Sequence, residues 1–255
     1  MKKLLALLLT AALVVTVFAG CSKNSSTESS NSSAAKEKIT MGTNATFPPF
    51  ESVDDSGKIV GLDADIAAAI AEKLNMELVI KDMDFDSLIP AVKGGSIDFA
   101  MAGMTVTDER KESVNFTDTY AKGVQVVIVK EGSAIKTVDD LKGKKIGVQT
   151  GTTGDSYCTG DYGQENVKQF ANGPLAVAAL QNGQIDCVVI DQQPAKAYVA
   201  SASGLKILET AYADENYAIA VSKDNTELLN NMNKALSELK AAGKIDEIVG
   251  KYIKE

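Results

Sequence analysis

The octapeptide Ala91-Val-Lys-Gly-Gly-Ser-Ile-Asp98 occurs a second time in related form, as Ala179-Leu-Gln-Asn-Gly-Gln-Ile-Asp186. Four of the eight positions are identical, and each copy places a glycine where a helix would end and a strand would follow. A repeat this short is weak by itself, but both copies occupy the same helix–turn–strand context. We therefore interpret the chain as two lobes built on one plan.

Short apolar strands and amphipathic helices alternate from Ile39 onward, which is typical of α/β proteins with mostly parallel sheets. Two strong β runs, 124–129 and 217–221, are expected to cross between the lobes as a hinge. We thus predict two α/β lobes joined by two crossing strands, with a ligand cleft between them. The predicted boundaries are 39–123 for the first part of lobe 1, 124–219 for lobe 2 and 220–255 for the return to lobe 1.

The strand after each copy of the repeat leads into residues that can bind a ligand. The first strand runs into Gly103 and Thr105, and the second runs into Asp191. In open α/β sheets, ligands lie beyond the carboxyl ends of the strands. Arg110, the only arginine in the chain, follows closely on the first of these segments. We expect Gly103, Thr105 and Arg110 on one wall of the cleft and Asp191 on the other.

The N-terminal segment predicts export. A basic start and an apolar run over 4–18 are followed by Ala19-Gly-Cys21, so we predict a signal peptide over 1–20. Phe18-Ala-Gly-Cys21 resembles the lipobox of bacterial lipoproteins, in which the cysteine carries the lipid. The serine-rich segment 21–38 then serves as a flexible tether. A plain signal peptide with an incidental Cys21 is the alternative. The prediction is an extracytoplasmic protein, lipid-anchored to the cell membrane.

Composition excludes several function classes. The formal net charge is −8 and no basic stripe is present, which argues against nucleic-acid binding. The sequence has no histidine, so neither a Ser-His-Asp nor a Cys-His arrangement nor a histidine-based zinc site can form. We expect no catalysis, no metal, no cofactor and a monomeric protein.

Cys158 and Cys187 both fall in the second predicted lobe, one near the start of a helix and one in a strand. Export permits a disulfide between them. The alternative is a pair of small buried thiols, since spacing alone does not establish the geometry that a disulfide needs.

Five motifs in a fixed order give the chain a specific resemblance. They are Gly61-Leu-Asp-Ala-Asp-Ile66, Ala102-Gly-Met-Thr-Val-Thr-Asp-Glu-Arg110, Phe116-Thr-Asp-Thr-Tyr120, Gly151-Thr-Thr-Gly154 and Asp191-x-x-Pro-Ala195. From about Lys38 to its end the chain resembles the polar amino-acid binding proteins of bacterial ABC importers, the extracellular solute-binding protein family 3. The resemblance implies the periplasmic-binding-protein-like fold, with lobes that close on a hinge.

The resemblance also implies roles around the α-carbon of an amino acid. Arg110 matches the arginine that clamps the ligand carboxylate, a task for which the two parallel donors of a guanidinium are suited. Thr105 would contact carboxylate and ammonium, Gly103 beside Ala102 would accept from the ammonium, and Asp191 would pair with it. A surface ion pair remains the alternative for Arg110, and a helix cap remains the alternative for Asp191.

Further positions match the rest of a ligand site. Thr152 and Thr153 lie in a glycine-flanked turn at a helix start, where free N–H groups suit an anion. Phe47 and Phe85 match positions that enclose the ligand side chain, although ordinary core packing is the alternative for both.

The residues predicted to surround the ligand side chain are uncharged. Asn44 lies where relatives that bind basic ligands often have aspartate, and Gln149 lies where a glutamine-type relative has lysine. We therefore prefer a polar, uncharged amino acid such as glutamine. A basic amino acid stays open because Asp63 or Asp82 could reach it, whereas no second cation is available for an acidic one.

These inferences predict a binding protein that captures a free L-amino acid and delivers it to the membrane subunits of an ABC permease. Two other classes remain open. Some proteins on this scaffold are enzymes that dehydrate cyclic carboxylic acids, with an aspartate or glutamate as general acid. A sensory module that reports its closed state to a receptor is the other.

Overall fold

The computed structural model describes residues 36–209 and 211–254. The predicted signal peptide, Cys21 and all but the last residues of the tether lie outside these described residues. The helices are α1 (Leu62–Lys73), α2 (Phe85–Lys93), α3 (Asp108–Ser113), α4 (Thr153–Tyr162), α5 (Gly173–Gln181), α6 (Gln192–Ser201), α7 (Thr226–Ala241) and α8 (Lys244–Tyr252). The strands are β1 (Lys38–Thr43), β2 (Thr46–Phe47), β3 (Glu51–Val53), β4 (Ile59–Val60), β5 (Glu77–Asp82), β6 (Phe99–Ala100), β7 (Val114–Phe116), β8 (Ala121–Lys130), β9 (Ile146–Gln149), β10 (Val167–Phe170), β11 (Cys187–Asp191), β12 (Leu205–Ile207), β13 (Ala213–Tyr217) and β14 (Ala220–Ser222).

Each lobe is built around one mixed sheet. The first sheet has the order β5-β1-β6-β14-β7, and the second has β10-β9-β11-β8-β12 with β13 also paired to β8. In both sheets three neighbouring strands are parallel to one another, and the remaining strand pairings are antiparallel. A small antiparallel sheet, β2-β3-β4, lies beside the first lobe's helix α1. The two-lobed α/β architecture agrees with the prediction, although the sheets are less uniformly parallel than predicted.

The repeated octapeptide forms the same structure twice. The carboxylate of Asp98 accepts a hydrogen bond from the N–H of Thr40 at 2.6 Å, while the Asp98 N–H donates to the Thr40 carbonyl. Asp186 makes the same pair of bonds with Lys145, its carboxylate accepting at 2.8 Å. Each aspartate thus ties the repeat to the start of a neighbouring strand.

The isoleucine of each copy also makes the same packing contact. Ile97 packs against Gly42 of β1, and Ile185 packs against Gly147 of β9, so closely that a Cβ at either glycine would collide with it. A glycine in a strand often marks such a close approach. The shared plan of the two lobes therefore extends from sequence to packing.

The hinge differs in detail from the prediction. The run 217–221 was expected to be one crossing strand, but β13 ends at Tyr217 in the second sheet and β14 begins at Ala220 in the first. The chain passes between the sheets over the two residues in between because it must leave one ladder before joining the other. β8 is the matching connection, and its N-terminal half pairs antiparallel with β13. The numerical lobe boundaries stay a prediction.

The two cysteines are free in the structure, so the disulfide that export would permit is not formed. Cys158 on α4 and Cys187 on β11 are buried in one apolar cluster. Burial raises the pKa of the Cys158 thiol to about 12 and also raises that of Cys187. Both side chains pack as small apolar groups in the interior of the second lobe.

Within residues 36–209 and 211–254, no helix is long and apolar enough to cross a membrane.

Candidate functional site

All eleven residues that the sequence proposes as ligand contacts line one cavity between the two sheets. Its empty volume is about 320 Å³, and Glu51 lines it in addition. The predicted residues are Asn44, Phe47, Phe85, Ala102, Gly103, Thr105, Arg110, Gln149, Thr152, Thr153 and Asp191.

The topology explains why these residues meet. Asn44 follows β1 and Ala102 follows β6, two parallel strands of the first sheet. Gln149 ends β9 and Asp191 ends β11, two parallel strands of the second sheet. The carboxyl ends of the two sheets therefore face one cavity, as expected for ligand sites in α/β proteins.

Arg110 is held from three sides. Its Nη1 donates to the Thr105 carbonyl at 2.7 Å, and its Nη2 donates to the Gly151 carbonyl of the second lobe at 3.1 Å. The guanidinium lies over the Phe85 ring, 5.3 Å from the ring centre. Burial lowers the pKa of Arg110, and the carboxylates of Glu215 and Asp191 oppose that effect. A cation buried to 9% exposure at a cavity is not the surface ion pair of the alternative interpretation.

Thr105 lies in an isolated bridge beside Tyr217. The two backbone hydrogen bonds of this bridge are donated by the N–H groups of Val106 and Ala218. The Thr105 N–H takes no part in them. The Thr105 hydroxyl donates to Glu215 Oε2 at 3.0 Å. Gly103 has a φ of 54°, and a Cβ there would collide with Phe47, so this position requires glycine.

Asp191 is buried at the end of β11 and accepts a short hydrogen bond from the Tyr217 hydroxyl. It precedes α6 directly, but its side chain makes no capping hydrogen bond, which argues against the helix-cap alternative. Burial and the nearby Glu215 raise the pKa of Asp191 to about 7, while hydrogen bonds from Tyr217 and Gln125 act in the opposite direction. The carboxylate is therefore positioned for a role at the cavity.

The two threonines at the start of α4 differ. The Thr152 hydroxyl donates to the Gln149 carbonyl at 2.8 Å and accepts from the Asp155 N–H, so it caps the helix. Thr153 is the first helical residue, where backbone N–H groups have no partner within the helix. The N–H groups of this turn, more than the Thr152 hydroxyl, are thus available for an anion.

The positions of the two phenylalanines agree with both interpretations given above, contact with the ligand and ordinary core packing. Phe47 and Phe85 are buried in apolar clusters and also line the cavity. They approach it from β2 and from the N-terminus of α2, respectively.

Asn44 and Gln149 bind each other. Gln149 Nε2 donates to Asn44 Oδ1 at 3.0 Å, which joins the two lobes across the cavity. The Tyr198 hydroxyl on α6 makes a second such contact, donating to the Thr46 carbonyl at 2.5 Å. With the bond from Arg110 to Gly151, these contacts hold the lobes together around the cavity.

Glu51 is the residue that the sequence analysis missed. It is fully buried on β3 and lines the cavity, and apart from the neighbouring Asp63 carboxyl no donor of the described residues reaches either of its carboxyl oxygens. Burial raises its pKa well above the ordinary value, and the nearby Asp63, Asp191 and Asp82 raise it further.

Asp63 and Asp82, the carboxylates proposed for a basic ligand, do not line the cavity. Asp63 lies behind it, where Oδ2 accepts from the N–H of Gly103 and from the Tyr120 hydroxyl, both at 2.8 Å. Burial raises the pKa of Asp63 to about 6, against the effect of these bonds. Asp82 is exposed and accepts from the Ala45 N–H.

Comparison with known proteins identifies the family to which this chain belongs. The family model of bacterial extracellular solute-binding proteins, family 3, matches residues 39–255. The chain belongs to this family.

Within the family, several relatives match nearly the full domain. A probable histidine-binding protein of Neisseria gonorrhoeae is 38% identical over 83% of this chain and 81% of its own length. The arginine-binding extracellular protein ArtP of Bacillus subtilis is 35% identical over 99% of this chain and 98% of its own. An ancestral arginine-binding protein is 45% identical, covers 86% of this chain and 99% of its own, and superposes with TM-scores of 0.81 bound to arginine and 0.82 bound to glutamine.

The pairing of strands β2 and β3 is one signal from which Glu51 could have been predicted as a residue of this family 3 site. Phe47 and Glu51 are direct partners in the antiparallel pair β2–β3, so their side chains share a face. A sequence argument that puts Phe47 at the ligand therefore puts Glu51 there too, provided that the hairpin register is known. The strands have two and three residues, which is too short for periodicity to reveal them.

Proposed function

We propose that this family 3 protein captures a basic amino acid, with L-arginine as the first candidate, by closing its two lobes and presenting the loaded form to an ABC permease. The observation that carries the proposal is Glu51, a buried carboxyl in the cavity wall whose hydrogen-bonding neighbour is a second carboxyl, that of Asp63. The neutral ligand preferred from sequence rested on Asn44 and Gln149, which are occupied with each other. The arginine- and histidine-binding relatives also favour a basic ligand.

The α end of the cavity is formed by Gly103, Thr105, Arg110 and Asp191. In our proposal the ligand carboxylate binds the Arg110 guanidinium and the N–H of Thr105, and the first turn of α4 completes its site. The ligand ammonium binds Asp191, the Gly103 carbonyl and the Thr105 hydroxyl oxygen. These contacts serve any α-amino acid.

The side-chain end is formed by Asn44, Phe47, Glu51 and Gln149. Once Arg110 and Asp191 are matched by the two α groups, Glu51 is the remaining acidic group of the wall. Two adjacent buried carboxyl groups are costly to ionise, and a guanidinium or ammonium group lowers that cost directly. An arriving cation also stabilises the ionised form of Glu51 against the burial that raises its pKa.

The test is calorimetric titration with L-arginine and L-citrulline, which have nearly the same shape but differ in charge. We expect arginine to bind at least about 100-fold more tightly, since a buried charge pair with hydrogen bonds is worth several kcal/mol. L-lysine, L-histidine and L-glutamine complete the panel. Equal affinity for arginine and citrulline would overturn the proposal of a basic ligand.

A polar uncharged amino acid is the second candidate. It is favoured by the neutral Asn44–Gln149 pair and by the related ancestral protein solved with glutamine. It predicts that glutamine binds more tightly than arginine in the same titrations. The family and the relatives are solute-binding transport proteins, so no catalytic step is proposed.

Export and anchoring are part of the proposal. The signal peptide over 1–20 and the lipid on Cys21 lie outside the described residues, and they rest on the sequence pattern alone. A Cys21→Ser variant should appear in the soluble extracytoplasmic fraction instead of the membrane fraction. Retention of that variant on the membrane would contradict the lipid anchor.

A further inference from the structure

Glu215 is a buried carboxylate of the hinge that sequence analysis did not single out. It lies on β13 of the second sheet, opposite Gly123 of β8, with 4% of its surface exposed. It does not line the cavity. It therefore makes no direct contact with a ligand there, and any effect on the ligand's hydrogen bonds must pass through another residue.

That residue is Thr105. Oε2 of Glu215 accepts from the Thr105 hydroxyl at 3.0 Å and from Gln125 Nε2 at 2.9 Å. A carboxylate oxygen offers only lone pairs, and a threonine hydroxyl has a single proton. With that proton directed at Glu215, the hydroxyl oxygen can turn only its lone pairs toward the cavity. Thr105 is thereby fixed as an acceptor.

This fixed direction matters because a ligand presents groups of both kinds. An ammonium has only donors, and a carboxylate has only acceptors. A freely rotating hydroxyl would serve either group, whereas a hydroxyl fixed as an acceptor serves the ammonium and repels a second carboxylate. Glu215 also lies near Arg110, since it is the foremost carboxylate opposing the lowering of the Arg110 pKa by burial.

We infer that Glu215 is a positioning residue for α-amino recognition: it takes the proton of the Thr105 hydroxyl and so makes Thr105 an acceptor for the ligand ammonium. The inference deepens the proposed function and rests on its placement of the ammonium at the α end. It extends the recognition of the amino group to a hinge strand outside the cavity wall.

The experiment compares two substitutions and two ligands. Glu215→Leu removes the acceptor for Thr105, whereas Glu215→Gln keeps an acceptor oxygen of the same reach. The ligands are L-arginine and 5-guanidinopentanoate, which is arginine without its α-amino group. Affinities are measured by calorimetry for the wild type, for both variants, for Thr105→Val and for the double variant Glu215→Leu/Thr105→Val.

We expect Glu215→Leu to weaken L-arginine by about tenfold or more, as for the loss of a hydrogen bond to a charged group. The desamino ligand should bind as before or more tightly, because Arg110 loses a competing carboxylate. Glu215→Gln should retain most of the preference for the amino group. In the Thr105→Val background, Glu215→Leu should no longer change the ratio of the two affinities.

Two results would overturn the inference. One is an unchanged ratio of the two affinities in Glu215→Leu, which with equal weakening of both ligands indicates general support of the fold. The other is a change of that ratio by Glu215→Leu in the Thr105→Val background. Failure of the proposed function is distinguishable, because it shows in the wild type as weak binding of arginine. The same test then uses L-glutamine and its desamino analogue 4-carbamoylbutanoate, since Glu215 acts at the end that all amino acids share.

Discussion

The two ends of the cavity differ in how their charges are matched. At the α end, Arg110 and Asp191 lie among hydrogen-bond donors and acceptors supplied by the protein. At the side-chain end, Glu51 forms a hydrogen bond with the buried Asp63 carboxyl behind the cavity, and three of the four oxygens of this pair receive no donor from any other group in the described part of the chain. In the proposed function the first end binds the carboxylate and the ammonium that all amino acids carry. In the proposed function the second end binds a cation, and selectivity is therefore expected there.

Substitution of Arg110 should break the α end and produce the largest effect. Arg110→Ala leaves the ligand carboxylate without its cation in a buried site, which costs about 3–5 kcal/mol, or about 10²–10³-fold or more in affinity. The loss should be similar for arginine and citrulline, because both carry the same α groups. Arg110→Lys should also lose affinity clearly, since an ammonium cannot present two parallel donors.

Calorimetry measures both variants, with Glu109→Ala as the matched control on an exposed position of the same helix. Unchanged affinity of Arg110→Ala for the amino acids that bind the wild type would contradict the carboxylate clamp.

The α end was accessible to sequence reasoning because its residues follow strands and belong to motifs. Gly103, Thr105 and Arg110 lie within one short segment, and Asp191 follows the strand after the second repeat. The repeat itself predicted the two lobes, since its isoleucine and aspartate carry out the same packing and hydrogen bonding in each.

The side-chain end was not accessible in the same way. Glu51 depends on the register of a very short hairpin, and the pairing of Asn44 with Gln149 depends on how closely the lobes approach. Neither the register nor the lobe separation has a periodic signal in the sequence. Sequence types alone suggested a neutral pocket, whereas the fold brings a carboxylate into it.

Glu51→Gln should sharpen the comparison by making the side-chain end neutral. We expect arginine affinity to fall by about 10–100-fold, in line with the loss of a buried charge pair, while citrulline affinity changes little. The preference for a cation should therefore largely disappear, with the α end intact.

The control is Asp82→Asn, which removes a carboxylate of the same lobe that does not line the cavity. If Glu51→Gln kept the full ratio of arginine to citrulline affinity, the cation site would have to lie elsewhere.

The pH dependence should also separate the two ends. In the empty site, burial raises the pKa of Glu51 well above its ordinary value and that of Asp63 to about 6. A bound cation lowers both pKa values, so the complex holds fewer protons than the free protein. Affinity for arginine is then greatest above the free-site pKa values and falls as the pH drops through them, by at most about tenfold per pH unit for each proton released.

Titrations between pH 5 and pH 8 in buffers of different ionisation enthalpy measure these protons directly. Asp191, whose pKa is raised to about 7, meets the ammonium of every ligand, so its contribution cancels in the ratio of arginine to citrulline affinity. Asp82, Tyr120 and Tyr198 also face this pair, and any contribution from them that is common to both ligands cancels in the same ratio. A ratio that stayed constant with pH would mean that no proton leaves the Glu51–Asp63 pair.

Tyr198→Phe should give the smallest effect, because it touches neither end directly. Its hydroxyl donates to the Thr46 carbonyl of the other lobe, so its removal weakens the closed form by the value of one hydrogen bond, about 1 kcal/mol. Affinity should fall about fivefold for arginine and citrulline alike, mainly through faster dissociation. Tyr212→Phe is the matched control, because that hydroxyl bonds Asp161 within the second lobe. A change in the ratio of the two ligands would show that Tyr198 acts on the side-chain end instead, since closure alone stabilises both complexes equally.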